Sequence, residues 1–344
     1  VVAIGQNAIL GNSSNTTGIN HTIGIGYSAL QSLTTGAGNL AIGYNTMFGH
    51  TTGARNIAIG YEAMNDTDAG STSKGSSDNI FIGYDAGGGT WADAASNSNV
   101  AIGNYTLDGA LDGALENTAF GHGALSSVTT GDYNTAVGAW AGGFIAFGTY
   151  NTIVGREAGT YTTGSYNTFM GYYAGRGGNT SAPYNSGEKN TSLGYQALTA
   201  FTTGGSNVAI GYNAGVALTT AGGNVLIGAL TGDAITTGQA NVAIGSSAAG
   251  QITTDQYVTA IGYNAGAYVE AGIGNRYNVY VGADCGYRGG PGIHQTYLGT
   301  SAGLYATGSY NTFVGSDAGK GGTTSAPFSS GGSNTAIGYE ALKG

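Results

Sequence analysis

The sequence predicts an all-β protein, a parallel β-solenoid or β-roll of about 19 coils. Three observations predict it. A short phrase closed by glycine recurs 19 times, with a commonest spacing of 17 residues and a range of 16 to 23. The phrase is rich in β-branched residues and has turn residues behind it. The chain holds 67 Gly but only 3 Pro, and 41% of it is hydrophobic. The Gly has no three-residue period, which excludes collagen, and the apolar content excludes a disordered tract.

Taking the closing glycine as position zero, the copies run from Gly5, Gly26 and Gly43 to Gly299, Gly315 and Gly338. A fixed period of this length marks a repeat architecture, in which each unit buries its apolar face only against its neighbours. No stretch lacks the phrase, so residues 1–344 read as one repetitive shaft without a domain boundary. Residues 1 and 344 both fall inside repeat phrases, and the expectation is a piece of a longer polypeptide.

The elements follow in order along each copy. Position −4 is Asn in 15 of 19 copies, including Asn39, Asn134 and Asn241. Stacked coil on coil, these predict an amide ladder along the axis. Position −3 is β-branched or Leu, and position −1 is always apolar, as in Ile57, Val208, Ile4 and Val314. Together they predict a short strand from −4 to −1 and an Ile/Val column as the continuous core. Gly43, Gly138 and Gly245 at zero predict a backbone angle closed to other residues, or a close approach of chains. Position +3 is Ala in 15 copies, which predicts a narrow interior. Cys285 stands in that column and reads as a small buried residue rather than a reactive thiol. Near +7, Leu33, Val128, Phe201, Leu218, Ile235 and Ile252 predict a second, weaker strand. A Thr-Thr-Gly turn often follows. Coils stacked at about 4.8 Å would then make a rod of roughly 90 Å.

Position −2 lies on the strand face opposite −3 and −1. It is apolar too: Ala41, Phe81, Ile153, Phe169, Leu226, Tyr280, Phe313. Strands apolar on both faces are buried on both. One face packs inside the coil, and the other needs a cover, because so long an exposed stripe would aggregate. The simplest cover is the same stripe on identical chains around a shared axis. A wider solenoid using both faces internally is the alternative.

Composition narrows the partners. Lys and Arg number 9 against 18 Asp and Glu, a net charge of 9 − 18 = −9, which argues against nucleic acid and anionic lipid. One cysteine allows neither an intrachain disulfide nor a multi-cysteine metal site. No apolar run reaches the roughly 18 residues of a membrane span, and no signal peptide is visible. No cofactor is expected.

The NTAIGY and NVAIGY phrases resemble the head repeats of YadA-like trimeric autotransporter adhesins. The longer NTAIG…TTG form is similar to repeats of phage tail-fibre-like and bacterial surface proteins. The resemblance spans the chain and rests on Asn at −4, an apolar −1, Gly at zero and Ala at +3. It implies a left-handed parallel β-roll and a homotrimer. The period here is longer than in adhesin heads, so the extra residues should form longer loops.

Candidate chemistry is sparse. Gly299-Thr300-Ser301-Ala302-Gly303 matches the nucleophile-elbow pattern, but it is a repeat phrase with no predicted elbow. Glu62 and Asp85 share column +2 on consecutive coils, as do Asp317 and Glu340. Such carboxylates suit glycoside hydrolysis or Ca²⁺, but no aromatic cleft is apparent beside them and a solvated ridge is the better reading. Asp66-Thr67-Asp68 lacks the rest of a Ca²⁺ loop. His21, His50, His122 and His294 show no ligand spacing. No catalytic centre is assigned. Nine copies carry Tyr at +1, a ladder that could stack on sugars but reads first as structure. Thr118, Thr135 and Thr152 at −3 raise ice binding, but Val and Ile elsewhere in the column fit a buried position better. The Asn-x-Ser/Thr sequons at Asn12, Asn15, Asn104 and Asn179 follow from composition.

The sharpest functional pointer is a pair of long, near-identical loops, RGGNTSAPYNSGEKN from Arg176 and KGGTTSAPFSSGGSN from Lys320. Solenoid insertions gather on one face and often bind, which makes Tyr184 and Phe328 candidate glycan or receptor contacts, although a plain spacer knob is the first reading of these loops. The expectation is a non-enzymatic, homotrimeric shaft of an extracellular, cell-surface or virion fibre that mediates attachment. A self-assembling matrix or surface filament without a receptor is the alternative.

Overall fold

A computed structural model of the protein describes residues 1–11, 17–67, 75–92, 94–178, 185–268, 277–290, 292–322 and 330–344. Among these residues, nineteen three-residue strands form, one per repeat phrase, from β1 (Val2–Ile4) to β19 (Thr335–Ile337). All are parallel and build a β-solenoid of about 17 residues per turn. No helix among the described residues is long and apolar enough to cross a membrane. The chain divides into two compact units, Val1–Thr168 and Phe169–Gly344.

Within each unit like residues lie over like. In the first, Ile57 pairs with Ile80, Ala58 with Phe81 and Ile59 with Ile82. That register holds although 23 residues separate Gly60 from Gly83. In the second, Val208, Ala209 and Ile210 pair with Val225, Leu226 and Ile227.

The strands are short because left-handed residues bracket them. Around the strand Ile80–Ile82, Asp78 has φ 63° and Gly83 φ 148°. Positive φ returns at +2 and +4, as at Glu62 (54°) and Met64 (51°). Each such non-glycine residue costs about 1–2 kcal/mol, offset by hydrogen bonds between coils: Glu62 N–H donates to the Tyr44 carbonyl and Met64 N–H to that of Ala86, both at 2.9 Å. This alternation cannot extend, so the second strand expected near +7 does not form. The +7 residues are buried all the same; Leu33, Val128, Phe201, Leu218 and Ile235 expose nothing.

The faces are also reversed relative to the sequence reading. Position −2 points into the coil, and the Ile/Val columns at −3 and −1 point out. Ala58, Phe81, Ile153, Phe169 and Leu226 are fully buried, while Ile57, Ile59, Ile80 and Ile82 are half-buried. The reason is strand alternation, which ties −2 to the −4 amide. That amide finds its partners only in the interior.

The Asn ladder forms as the columns suggest. Asn134 Nδ2 donates to Asn117 Oδ1 at 3.0 Å and to the Gly148 carbonyl at 2.8 Å. Its own Oδ1 accepts from the N–H and Nδ2 of Asn151 at 3.0 and 2.9 Å. Asn39 and Asn241 repeat the pattern with Asn56 and Asn224. Where Gln295 replaces Asn, its longer amide accepts from the Tyr280 hydroxyl, which also accepts from Asn278 Nδ2. Tyr280 at −2 thus stays satisfied in the core.

The zero glycines carry both roles expected of them. Gly43 has φ 141°, and a Cβ there would lie 2.1 Å from the Gly60 carbonyl oxygen. Gly138 and Gly245 have φ 135° and 128°, with the same clash at 2.6 and 2.5 Å. The +3 column is fully buried from Ala29 to Ala318, Cys285 included; burial pushes its thiol up to about 12, so it is no ready nucleophile.

Candidate functional site

Two surfaces stand out. The first is the outward strand face. In the first unit Ile25, Ile42, Ile59, Ile82 and Ile102 line up half-buried, with Ile23, Leu40, Ile57 and Ile80 beside them. In the second, Ile210, Ile227 and Ile244 do the same, and Leu193 and Leu298 are 43% and 48% exposed. Thr118, Thr135 and Thr152 are exposed on this face, so the −3 column is not the buried one that the sequence reading favoured.

Aromatic ladders border the face. Tyr27, Tyr44, Tyr61 and Tyr84 stack with ring centroids 5.0–5.3 Å apart, and Tyr172, Tyr195 and Tyr212 follow suit in the second unit. The inner rings have a neighbour on each face and show solvent only their edges and hydroxyls. Sugar stacking needs an open ring face, so these ladders serve as flanks. A second column, at −5, was not singled out in the sequence. Tyr133, Tyr150 and Tyr166 stack at 4.9 and 5.3 Å, and Tyr257, Tyr277, His294 and Tyr310 at 4.9–5.4 Å. Its signal was present: an aromatic directly before the column Asn, as in DYNT, TYNT and SYNT.

The second surface is a cleft of about 250 Å³ in the first unit, lined by Trp140, Phe144, Glu157, Thr160 and Tyr161. Trp140 and Glu157 occupy +2 on successive coils, and Phe144 and Tyr161 occupy +6. The latter two rings stack at 5.2 Å with planes 9° apart. Glu157 Oε1 pairs with Arg156 Nη2 at 3.0 Å, its side chain only 16% exposed. The aromatic neighbours of Glu157 are not legible in the sequence, because nothing in the linear order says that +2 and +6 meet across coils.

The remaining candidates take structural places. Asn45 Nδ2 reaches Glu62 Oε1 at 3.5 Å. Burial, then Glu62, raises the Asp85 carboxyl. Burial, then Asp85, pushes Asp108 up to about 6. Asp317 pairs with Lys320 at 2.8 Å, and Glu340 with Lys343. Thus the acids of column +2 occur in short runs, with counter-ions at Asp317 and Glu340 as at Glu157. Ser301 sits in a turn with φ 55°, without a strand-to-helix elbow. His50 is buried and holds Thr67 and Asn56 at 3.1 and 3.2 Å; burial lowers its pKa to about 4. His122 and His294 belong to the aromatic columns. Among the described residues, no group of three or more His, Cys, Asp or Glu could hold a metal ion. Tyr184 and Phe328 lie outside the described residues, as do Asp68 and the sequons at Asn12, Asn15 and Asn179. Set against known proteins, the chain matches no family model, and no curated protein matches it.

Proposed function

We propose that the chain is the non-enzymatic structural shaft of a homotrimeric fibre, extracellular or on a virion, that mediates attachment to a surface. The observation that carries this reading is the outward strand face, an in-register aliphatic strip left half-open along each unit. An apolar strip of this kind on a single chain invites association. Identical chains around one axis offer the matching strip, and the repeat resemblance supports three of them in a left-handed roll. Axial amide ladders and backbone bonds at each coil would make such a shaft stiff and poor in open edges. Attachment would then come from the long loops carrying Tyr184 and Phe328, or from elsewhere on the fibre.

The test is a mass measurement in solution. A stable trimer is the expected result; a stable monomer overturns the reading. Electron microscopy of the fibre separates the alternative, since end-to-end polymers without a distinct tip would indicate a self-assembling filament.

A further inference from the structure

We propose that the cleft lined by Trp140, Phe144, Glu157, Thr160 and Tyr161 binds one ring of a neutral saccharide. The inference deepens the attachment reading and rests on it for its biological role.

The first ground is departure from the columns. Position +2 is mostly short or polar, as in Ser28, Asn45, Gln196 and Asn213, yet here it carries an indole. Position +6 is mostly small, as in Gly49, Gly109, Ala217 and Ala234, and its other aromatics, Tyr268 and Tyr305, stand on separated coils, as do Tyr105 and Tyr173 at +2; here +6 carries aromatics on two consecutive coils, Phe144 and Tyr161. These exceptions, on adjacent coils, meet in one cleft. Core packing does not account for the indole, since Trp140 remains 37% exposed while the other tryptophan, Trp91, is fully buried. The coil before makes room for it: a Cβ on Gly123 would lie 2.8 Å from Trp140 Cε3. The indole is thus seated against Gly123 and the His122 ring, 5.3 Å away between centroids, and also borders the cleft.

The second ground is polarity. The Glu157 carboxylate is mostly buried and already paired with Arg156. Arg156 does not line the cleft but balances the carboxylate, so Glu157 offers an acceptor without net charge, which suits hydroxyl groups better than a free cation or anion. The Thr160 hydroxyl lies 2.8 Å from the Glu157 carbonyl and 3.2 Å from that of Trp140. It donates to these and keeps its oxygen free to accept. Apolar walls with a few placed polar groups describe a small-ligand site, and the volume falls below the roughly 300–1,000 Å³ of drug-sized pockets. One pyranose ring fits that description, its C–H face against the aromatic wall and its hydroxyls toward Glu157 and Thr160.

The experiment is saturation-transfer NMR on the full chain with the methyl glycosides of glucose, galactose, mannose and N-acetylglucosamine. Choline serves as the cationic competitor. Saturable binding of at least one glycoside in the millimolar range is expected. It should vanish in Trp140→Ala and weaken about tenfold in Glu157→Gln, with the urea midpoint of each variant near that of the parent. Phe144→Ala, which removes one wall, decides the matter should Trp140→Ala fail to fold. Absence of saturable binding by every glycoside overturns the proposal, as does unchanged binding in the variants. Binding of choline in their place also overturns it. The oligomeric state is read separately, so a monomer that binds glycosides sinks the trimer and leaves this site standing.

Discussion

The ring of Phe81 stands where a side chain on Gly87 would be: a Cβ at Gly87 would lie 2.5 Å from Phe81 Cδ1. The two residues are −2 and +4 of one coil, and the relationship recurs. Phe169, Tyr297 and Phe313 at −2 face Gly175, Gly303 and Gly319 at +4, each within 2.3 Å of a notional Cβ. Ala58, Ala101 and Ala119 instead accompany Met64, Leu107 and Leu125. In these coils one large side chain, at −2 or +4, fills the cross-section; where both positions are small, as at Ala209 and Gly215, Leu226 of the next coil takes the space, 2.8 Å from a notional Cβ on Gly215.

Phe81→Ala should therefore cost about 3–5 kcal/mol by leaving a cavity. Adding Gly87→Leu recreates the Ala101/Leu107 pairing of the following coil and should restore at least half of that loss. Leu107 already tolerates φ 45° at this position, so the left-handed leucine adds only about 1 kcal/mol of strain. Urea midpoints of the two singles and the double give the coupling. A double variant no more stable than Phe81→Ala would refute the volume rule.

Asn134→Leu should be among the worst single changes in the first unit. It strips the Gly148 carbonyl of its donor and takes the acceptor from the buried backbone N–H of Asn151 and from one hydrogen of its side-chain amide, the other staying on the Gly164 carbonyl. Each orphaned buried group costs about 1–3 kcal/mol, so a loss of several kcal/mol is expected. Hydrogen exchange at the Asn151 amide should quicken with it. A midpoint within experimental error of the parent would show that the ladder contributes nothing net.

Two groups in the first unit, the buried His50 and the half-buried Asp108, respond to pH in opposite senses. His50 has its pKa lowered to about 4 by burial. Between about 4 and 6.5 the unfolded state binds more protons, so this group makes stability rise with pH, by at most about 3 kcal/mol. Asp108 has its carboxyl pushed up to about 6. The folded state then binds more protons between about 4 and 6, so this group makes stability fall as pH rises, by about 1 kcal/mol once its partial exposure is discounted. Asp108→Asn should steepen the gain in stability from pH 4 to 6.5, and His50→Gln should leave a slope of the other sign. Urea unfolding at stepped pH reads both; unchanged slopes would show that neither group is perturbed.

Ile59→Lys places a charge on the outward strip without touching the core. The coil itself should lose no more than about 0.5 kcal/mol, as surface changes do. A shared apolar interface should fail, and the mass should fall to that of one chain while the β-type circular dichroism persists. A variant that keeps the parental mass would show that this strip is not where chains meet.

The sequence by itself determined the repeat, its strand, the Asn ladder and the glycine column. A stacked solenoid places identical positions over one another, so a column of like residues is already a statement about neighbours in space. It could also say that the strand is apolar on both sides. Only the tertiary structure decided which side faces in, because alternation fixes relative faces and needs a third group, the buried Asn134 amide and its equivalents, to fix the absolute one. The pairing of Phe81 with Gly87 and the meeting of Trp140 with Glu157 and Tyr161 were likewise beyond linear reading. They depend on how far left-handed residues at +2 and +4 curl the chain, and that curl is set by hydrogen bonds to adjacent coils, not by the residues' own preferences.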